Sequence, residues 1–299
     1  MEVNNKSESY EIFEIFLYIF SKKWLLIKLG FLFAISLSII ALLLPKEWES
    51  DAILVNVDSG TSPSQSGSAL GGIAQLAGIN LNTSTASRLN MSLYTILSRD
   101  FFRHLVSFEN VKRDLIAIKS FNEKLSKPIY DDDIYDLESK KWMEEPTFFK
   151  SYEAYRAAVS AAFLDDKAGQ FLVVRVKHRS PIFAKQLVDL IVQEVNELQR
   201  YNDIEEANAS LAYLQDQLNQ TEQLNIKTSI SSLIENQIKT KMFANVRSHY
   251  VLKPIDNSYI PELRSSPQRT RFVLSYTFFG MLISVLVLLI RFQIKKFNS

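Results

Sequence analysis

Lys253–Arg271, KPIDNSYIPELRSSPQRTR, followed without a break by Phe272–Ile290, FVLSYTFFGMLISVLVLLI, decides how the chain is organised. Pro254, Pro261 and Pro267 stand at irregular spacing. Each lacks an amide donor and drives the residue before it towards extended geometry, so no helix runs through this stretch. The nineteen residues after it carry no charge. At about 1.5 Å per residue they are long enough to cross the hydrocarbon core of a bilayer. An extended, proline-stiffened connector, 254–271, therefore leads a folded domain into a membrane helix, 272–290.

A second apolar run lies at the other end of the chain. Trp24–Leu44 contains a single charge, Lys28, close enough to the end to snorkel. It is too long and too late for the core of a signal peptide, and Pro45-Lys46-Glu47-Trp48 after it is no small-residue cleavage site. It reads as an uncleaved membrane helix, 24–44. Lys22 and Lys23 precede it, while Arg291, Lys295 and Lys296 follow the second run. That places the tails 1–23 and 291–299 in the cytoplasm and the loop 45–271 outside. Arg264, Arg269 and Arg271 oppose this assignment, but long loops translocate largely regardless of charge.

Between the runs the composition is that of a folded domain. Apolar side chains make up 47% of the chain and aromatics 12%, which argues against disorder. The net charge of +1 gives no general attraction to nucleic acid. The absence of cysteine removes disulfides, thiolate zinc sites and cysteine nucleophiles.

Along the chain, YEIFEIFLYIF (Tyr10–Phe20) reads either as an interfacial helix or as an extension of the first membrane helix. Ala52–Val57 is β-rich, and residues 58–72 form a Gly/Ser-rich loop in which Gly67 and Gly71 make a chance GxxxG. IAQLAGIN, 73–80, is a small apolar patch. Residues 86–106 place Leu89, Leu93, Ile96, Leu97, Phe101 and Leu105 at helical spacing. Residues 111–145 read as weak helix with charge, including a solvated Asp131-Asp132-Asp133, and 147–163 as a further amphipathic helix.

Gln170–His178 is the clearest strand, and Ser180-Pro181 then open a helix as N-cap and first-turn proline. From Ile182 to about Phe243 there is neither proline nor glycine. Uninterrupted, that helix would reach roughly 90 Å, although polar Gln215–Ser232 marks a place for a bend or break. Val246–Ile255 returns as a strand. The order fits an α+β membrane protein: two transmembrane helices flanking a periplasmic mixed α/β base, with a long extended helix projecting from it. The apolar face of that helix, with Leu211, Leu214 and Leu218, is expected to pack between neighbouring subunits; the alternative is burial within the chain against Leu89–Leu105.

Chemistry is sparse. No phosphate-binding, dinucleotide, zinc-protease or nucleophile-elbow motif occurs, and no cofactor is expected. His104, His178 and His249 have no metal spacing, and the adjacent acids Asp165-Asp166 and Glu205-Glu206 point in different directions. Trp142, Phe148 and Tyr152 could stack on sugar rings and are read as core side chains. The tails are too short for a kinase or signalling domain.

These residues carry a resemblance. FLVVRVKHRSPIFAKQLVDLIVQEVNEL (171–198) is similar to the strand and long helix of the polysaccharide co-polymerases, the Wzz-type chain-length determinants. LIENQIKTKMFANVRSHYVLKPIDNSYIPELRSSPQR (233–269) resembles their closing helix, strand and proline-rich connector, and GGIAQLAGI (71–79) is also similar to members of the group. Pro261, Ser266, Pro267 and Arg269 fit the family pattern, while Asp256-Asn257-Ser258 departs from its usual Asp-Pro-Ala.

The resemblance implies a kinase-free, non-enzymatic homo-oligomer in a bacterial inner membrane. It would set the length of an O-antigen or lipopolysaccharide-type glycan made on a lipid carrier by a Wzy-type polymerase. The connector residues Pro254, Pro261, Pro267 and Arg269 would set the geometry between domain and membrane helix; the alternative is a plain linker. A different function remains open, a membrane adaptor for capsule or exopolysaccharide export working with a separate cytoplasmic tyrosine kinase. The tail RFQIKKFNS, however, has no tyrosine cluster for such a kinase.

Overall fold

The computed structural model describes residues 21–57, 85–166 and 169–297, and of some residues in that range only the backbone. The tail 1–20, the Gly/Ser loop with Gly67 and Gly71, and GGIAQLAGI lie outside the described residues. The chain divides into two compact bodies, Trp48–Leu263 and the two terminal segments Met1–Glu47 with Arg264–Ser299.

In the terminal body, helix α1 (Lys23–Leu43) packs against the C-terminal helix Arg269–Phe297. Gly280 makes the close approach possible. A Cβ there would stand 2.9 Å from Phe33 Cγ and 3.0 Å from Phe33 Cβ, atoms too near the backbone to swing aside. Leu274–Arg291 is long and apolar enough to cross a membrane by length and composition, whereas the apolar stretch in α1 is the shorter Ile27–Ile40. Phe278, Phe279, Leu282 and Leu286 are exposed among the described residues.

The larger body is built on a four-stranded antiparallel sheet. Strands β1 (Trp48–Asn56), β6 (Val159–Asp166), β7 (Gly169–His178) and β8 (Leu252–Asp256) lie in the order β6-β7-β1-β8. β1 alternates buried and half-buried residues along its length, the period-2 pattern of a sheet with one covered face. Ala52 and Leu54 of β1 and Leu172, Val174 and Val176 of β7 enter the core.

Helix α6 (Pro181–Gln220) contributes Phe183, Leu187, Val188, Ile191 and Val195 to that core. It opens as expected, with Pro181 in the first turn and the Ser180 hydroxyl accepting from the Phe183 amide at 3.3 Å.

Four expectations are corrected. Residues 86–106 form two helices, α2 (Thr85–Ile96) and α3 (Arg99–Leu105), because the Ser98 side chain accepts from the Phe101 amide and caps a new start. Residues 111–145 hold one short helix, α4 (Val111–Ala117), and two hairpins, β2–β3 (Ile118–Asn122 with Lys127–Tyr130) and β4–β5 (Tyr135–Asp136 with Lys141–Trp142). Ser126 and Lys140 take positive φ in these hairpins without the glycine that normally signals a turn. Helix α5 (Phe148–Ala158) stops at Ala158, and the following residues become edge strand β6.

The long helix is interrupted after Gln220, and helix α7 (Leu224–Val246) turns back along α6. Val246 ends that helix, so the returning strand begins only at Leu252. Arg200 donates to the carbonyls of Arg247 at 2.8 Å and Ser248 at 3.2 Å, which places the end of α7 about twenty residues back along α6.

The helix pair has a seam. Ile204, Ala207, Leu211, Leu214 and Leu218 repeat at alternating spacings of three and four and are all at least half-buried; Ile230, Leu233, Gln237, Thr240 and Ala244 do the same on α7. Leu211, Leu214 and Leu218 thus have cover within the chain, supplied by α7 rather than by Leu89–Leu105. Ile238, Met242 and Val246 fall on another face of α7 and are exposed.

Asn196 joins helix to sheet. Its side-chain oxygen accepts from the Val251 and Leu252 amides, both at 2.8 Å. Its amide donates to the carbonyls of Leu252 at 2.9 Å and Val192 at 3.0 Å. Asn196→Leu would leave two buried amides unpaired, at a cost of roughly 3 kcal/mol. We expect the thermal midpoint of the full chain in detergent, followed by helix circular dichroism, to fall by roughly 5–10 °C. An unchanged midpoint would remove Asn196 from this role.

His178 is buried at the end of β7. Its Nδ1 accepts from the Ser180 amide at 3.1 Å, and Nε2 faces the Leu115 carbonyl at 3.4 Å, so the hydrogen bonds assign the neutral ring with its proton on Nε2. Burial lowers its pKa from 6.5 to about 4, against the opposing pull of the Leu115 carbonyl. Between those values the unfolded chain binds the extra proton, so stability is full above the unfolded pKa and is lost as pH falls towards 4. The total is on the order of 3 kcal/mol. In melts across that interval, His178→Gln is expected to flatten this part of the pH dependence; an identical slope would contradict it.

Candidate functional site

The connector is anchored at two places, one in each body. In the larger body, Pro254 sits in β8 opposite Leu54. β8 is an edge strand, where a missing N–H is tolerated. Beyond β8 the Ser258 hydroxyl donates to Asp189 of α6, a carboxylate that is also paired with Lys185 one helical turn away. The Ser50 hydroxyl of β1 donates to the Tyr259 carbonyl at 2.7 Å, and Pro261 is buried. The Asn257-Ser258 turn is thus held to α6 by the Ser258 side chain.

In the terminal body, the segments entering and leaving the apolar helices are bound to each other. The Glu47 amide donates to the Ser266 carbonyl at 3.0 Å. The Glu47 carbonyl accepts from the amides of Ser265 at 3.0 Å and Ser266 at 3.3 Å, and from the Ser265 hydroxyl at 3.3 Å. This one-residue antiparallel bridge lies four residues after α1 and three before the C-terminal helix α8 (Arg269–Phe297). Pro267 is half-buried beside it, and Arg269 begins α8, its side chain outside the description. The four connector residues are therefore not one cluster: Pro254 and Pro261 belong to one body, Pro267 and Arg269 to the other.

A cavity of about 270 Å³ opens where the connector leaves β8. Asp189, Gln193, Asn196 and Glu197 of α6 form one wall. Ser248, His249, Pro254, Asn257 and Ser258 form the other, with Ala52 and Val192 completing the lining. Asn196 is fully used by its four hydrogen bonds, and Glu197 is paired with Arg200 at 2.8 Å.

The remaining polar and aromatic groups hold the fold together. His104 meets the buried Glu194 at 2.7 Å, and Gln199 donates to Ser92 at 2.8 Å. Tyr152 and Phe148 pack around Phe102 with the buried Tyr155. Trp142 meets Tyr135 edge-on and lies beneath Lys112. Lys112 and Arg113 line a further groove but are paired with Glu145 and Asp114. Burial, and then a hydrogen bond to Asp114, push the Tyr130 hydroxyl up to about 12. Among the described residues no group of three His, Cys, Asp or Glu side chains is placed to hold a metal ion.

No sequence-family model and no curated protein matches the chain. Solved structures similar to it include a full-length bacterial polysaccharide co-polymerase, at 13% identity and a TM-score of 0.38, covering 95% of this chain and 98% of that one. Another is a fragment of WzzB, a polysaccharide co-polymerase from Salmonella Typhimurium, at 13% identity and a TM-score of 0.32, covering 74% of this chain and all of that one.

The ties at Ser50 and Ser258 imply a rigid connector start. In Ser50→Ala/Ser258→Ala, amide hydrogen exchange should quicken across Asn257–Ile260 and stay unchanged in α6. Equal rates in both chains would show that backbone packing alone holds the segment.

Proposed function

We propose that the protein is a non-enzymatic regulator of polysaccharide chain length, of the O-antigen or lipopolysaccharide type, working as an oligomeric inner-membrane scaffold on a Wzy-type polymerase. The observation that carries this reading is the bridge between Glu47 and Ser266, close to the ends of both apolar helices. A chain built this way enters and leaves its large domain at one place. In this reading α1 and α8 are both membrane spans, the body Trp48–Leu263 is periplasmic, and both tails are cytoplasmic, in keeping with Lys22, Lys23 and Arg291. The lipid-carried glycan is the partner substrate, and the chemistry belongs to the polymerase.

Contact between copies is assigned to the outer face of α7. Ile238, Met242 and Val246 lie one turn apart and are exposed, an apolar stripe of the kind that subunits cover. Leu211, Leu214 and Leu218 support that face from the seam behind it.

Gel profiles of surface polysaccharide from strains with and without the gene test the proposal. A modal band that collapses to random lengths on deletion is the expected result. Unchanged length with reduced total polymer would instead favour an export adaptor. In the same assay Pro261→Ala/Pro267→Ala should broaden the modal band; an unchanged band and unchanged oligomer size would make the connector a plain linker.

A further inference from the structure

The cavity beside the connector has a wall chemistry that selects among ligands. Asp189 and Glu197 supply acceptors, but each is already neutralised, by Lys185 and Arg200. Among the described residues, neither lysine nor arginine lines the wall. A phosphate or carboxylate would find the nearby cations, Lys185 and Arg200, already engaged by those two acids. A hydrocarbon would strip water from the polar groups and return no hydrogen bond.

The remaining groups both donate and accept. The Asn257 amide and the His249 ring are exposed and make no hydrogen bond or ion pair among the described residues, and the Ser248 hydroxyl is exposed beside them. Ala52, Val192 and Pro254 give the lining its apolar surface. Paired acceptors, free donors and a limited apolar surface match a ring that carries several hydroxyls and an apolar face. At about 270 Å³ the space holds a single ring, since pockets for larger ligands run to ~300–1,000 Å³.

We propose that this cavity binds one neutral sugar unit, a hexose or N-acetylhexosamine residue of a glycan. The proposal rests on the chain-length reading, because only a glycan-handling protein has reason to hold a sugar here. It also gives the connector a part in that function. Pro254, Asn257 and Ser258 belong both to the wall and to the segment that leaves the domain, and the Ser258–Asp189 tie borders the bound ring. A seated sugar therefore touches the start of the connector directly.

Saturation-transfer NMR on the full chain in a sugar-free detergent, lauryldimethylamine oxide, tests it. The probes are the methyl glycosides of glucose, galactose and N-acetylglucosamine, with glucuronate and glucose 1-phosphate as charged controls. At least one neutral glycoside should receive saturation. That signal should fall by about five-fold or more in His249→Ala/Asn257→Ala, the loss expected from removing one or two hydrogen bonds. Both side chains are exposed and unbonded, so the variant should melt with the unchanged chain.

Saturation of the charged probes alone, of no probe, or equally in the variant would overturn the proposal. The polysaccharide profile separates the two readings. Loss of the modal band on deletion, together with no sugar binding, ends this inference alone. An unchanged profile ends the chain-length reading, whatever binds.

Discussion

A single buried amide fastens the covering helix to the sheet of the large body. Asn196 lies on the helix that covers the sheet, yet its side chain behaves as a piece of strand, giving and taking hydrogen bonds with Val251 and Leu252 as a neighbouring strand would. Without it, the backbone entering β8 would be buried with its amides unpaired, a state that proteins rarely tolerate. The same contact fixes the distance between α6 and β8. Those two elements make the walls of the cavity and the anchor of the connector, so both features follow from it.

Around that clamp the body has two regimes of packing. The first half of α6 is covered by the sheet and by α2, α3 and α4, and its buried polar residues Glu194, Asn196 and Gln199 each meet a partner on another element. Beyond Asp203, which meets Arg88 and Tyr250, the second half runs along α7 in a narrow seam with three-four spacing. A narrow seam leaves part of each helix uncovered, and on α7 the uncovered part carries Ile238, Met242 and Val246. The exposed stripe is thus a consequence of turning one long helix into two shorter ones.

The connector is less a spring than a pair of fastenings. Serine side chains secure its start to β1 and α6, and main-chain hydrogen bonds between Glu47 and Ser265–Ser266 secure its end. The prolines limit the conformations between these points, because each fixes one dihedral angle and removes one donor. Stiffness comes from the prolines and position from the serines.

Patterns that depend only on neighbours along the chain were legible in the amino-acid order. Alternation in Gln170–His178 marked β7, Ser180-Pro181 marked the start of α6, and the uncharged run Phe272–Ile290 marked the last helix, because each is a local property of backbone and solvent. What escaped was decided by contacts distant in sequence. The polar stretch 215–232 marked where the helix could break, and the break falls inside it, after Gln220; that α7 then turns back along α6 was decided by the seam between them. Val159–Asp166 becomes a strand because β7 offers an open edge, and residues 118–142 fold into hairpins with serine and lysine at positive φ. The cavity, too, has walls from residues near 52, 190, 250 and 257, which no spacing along the chain connects. Sequence by itself determined the apolar helices, the strand-to-helix corner and the stiff connector. The tertiary structure decided the helix reversal, the sheet edges and the cavity, because each exists only where remote segments satisfy one another's hydrogen bonds and apolar surface.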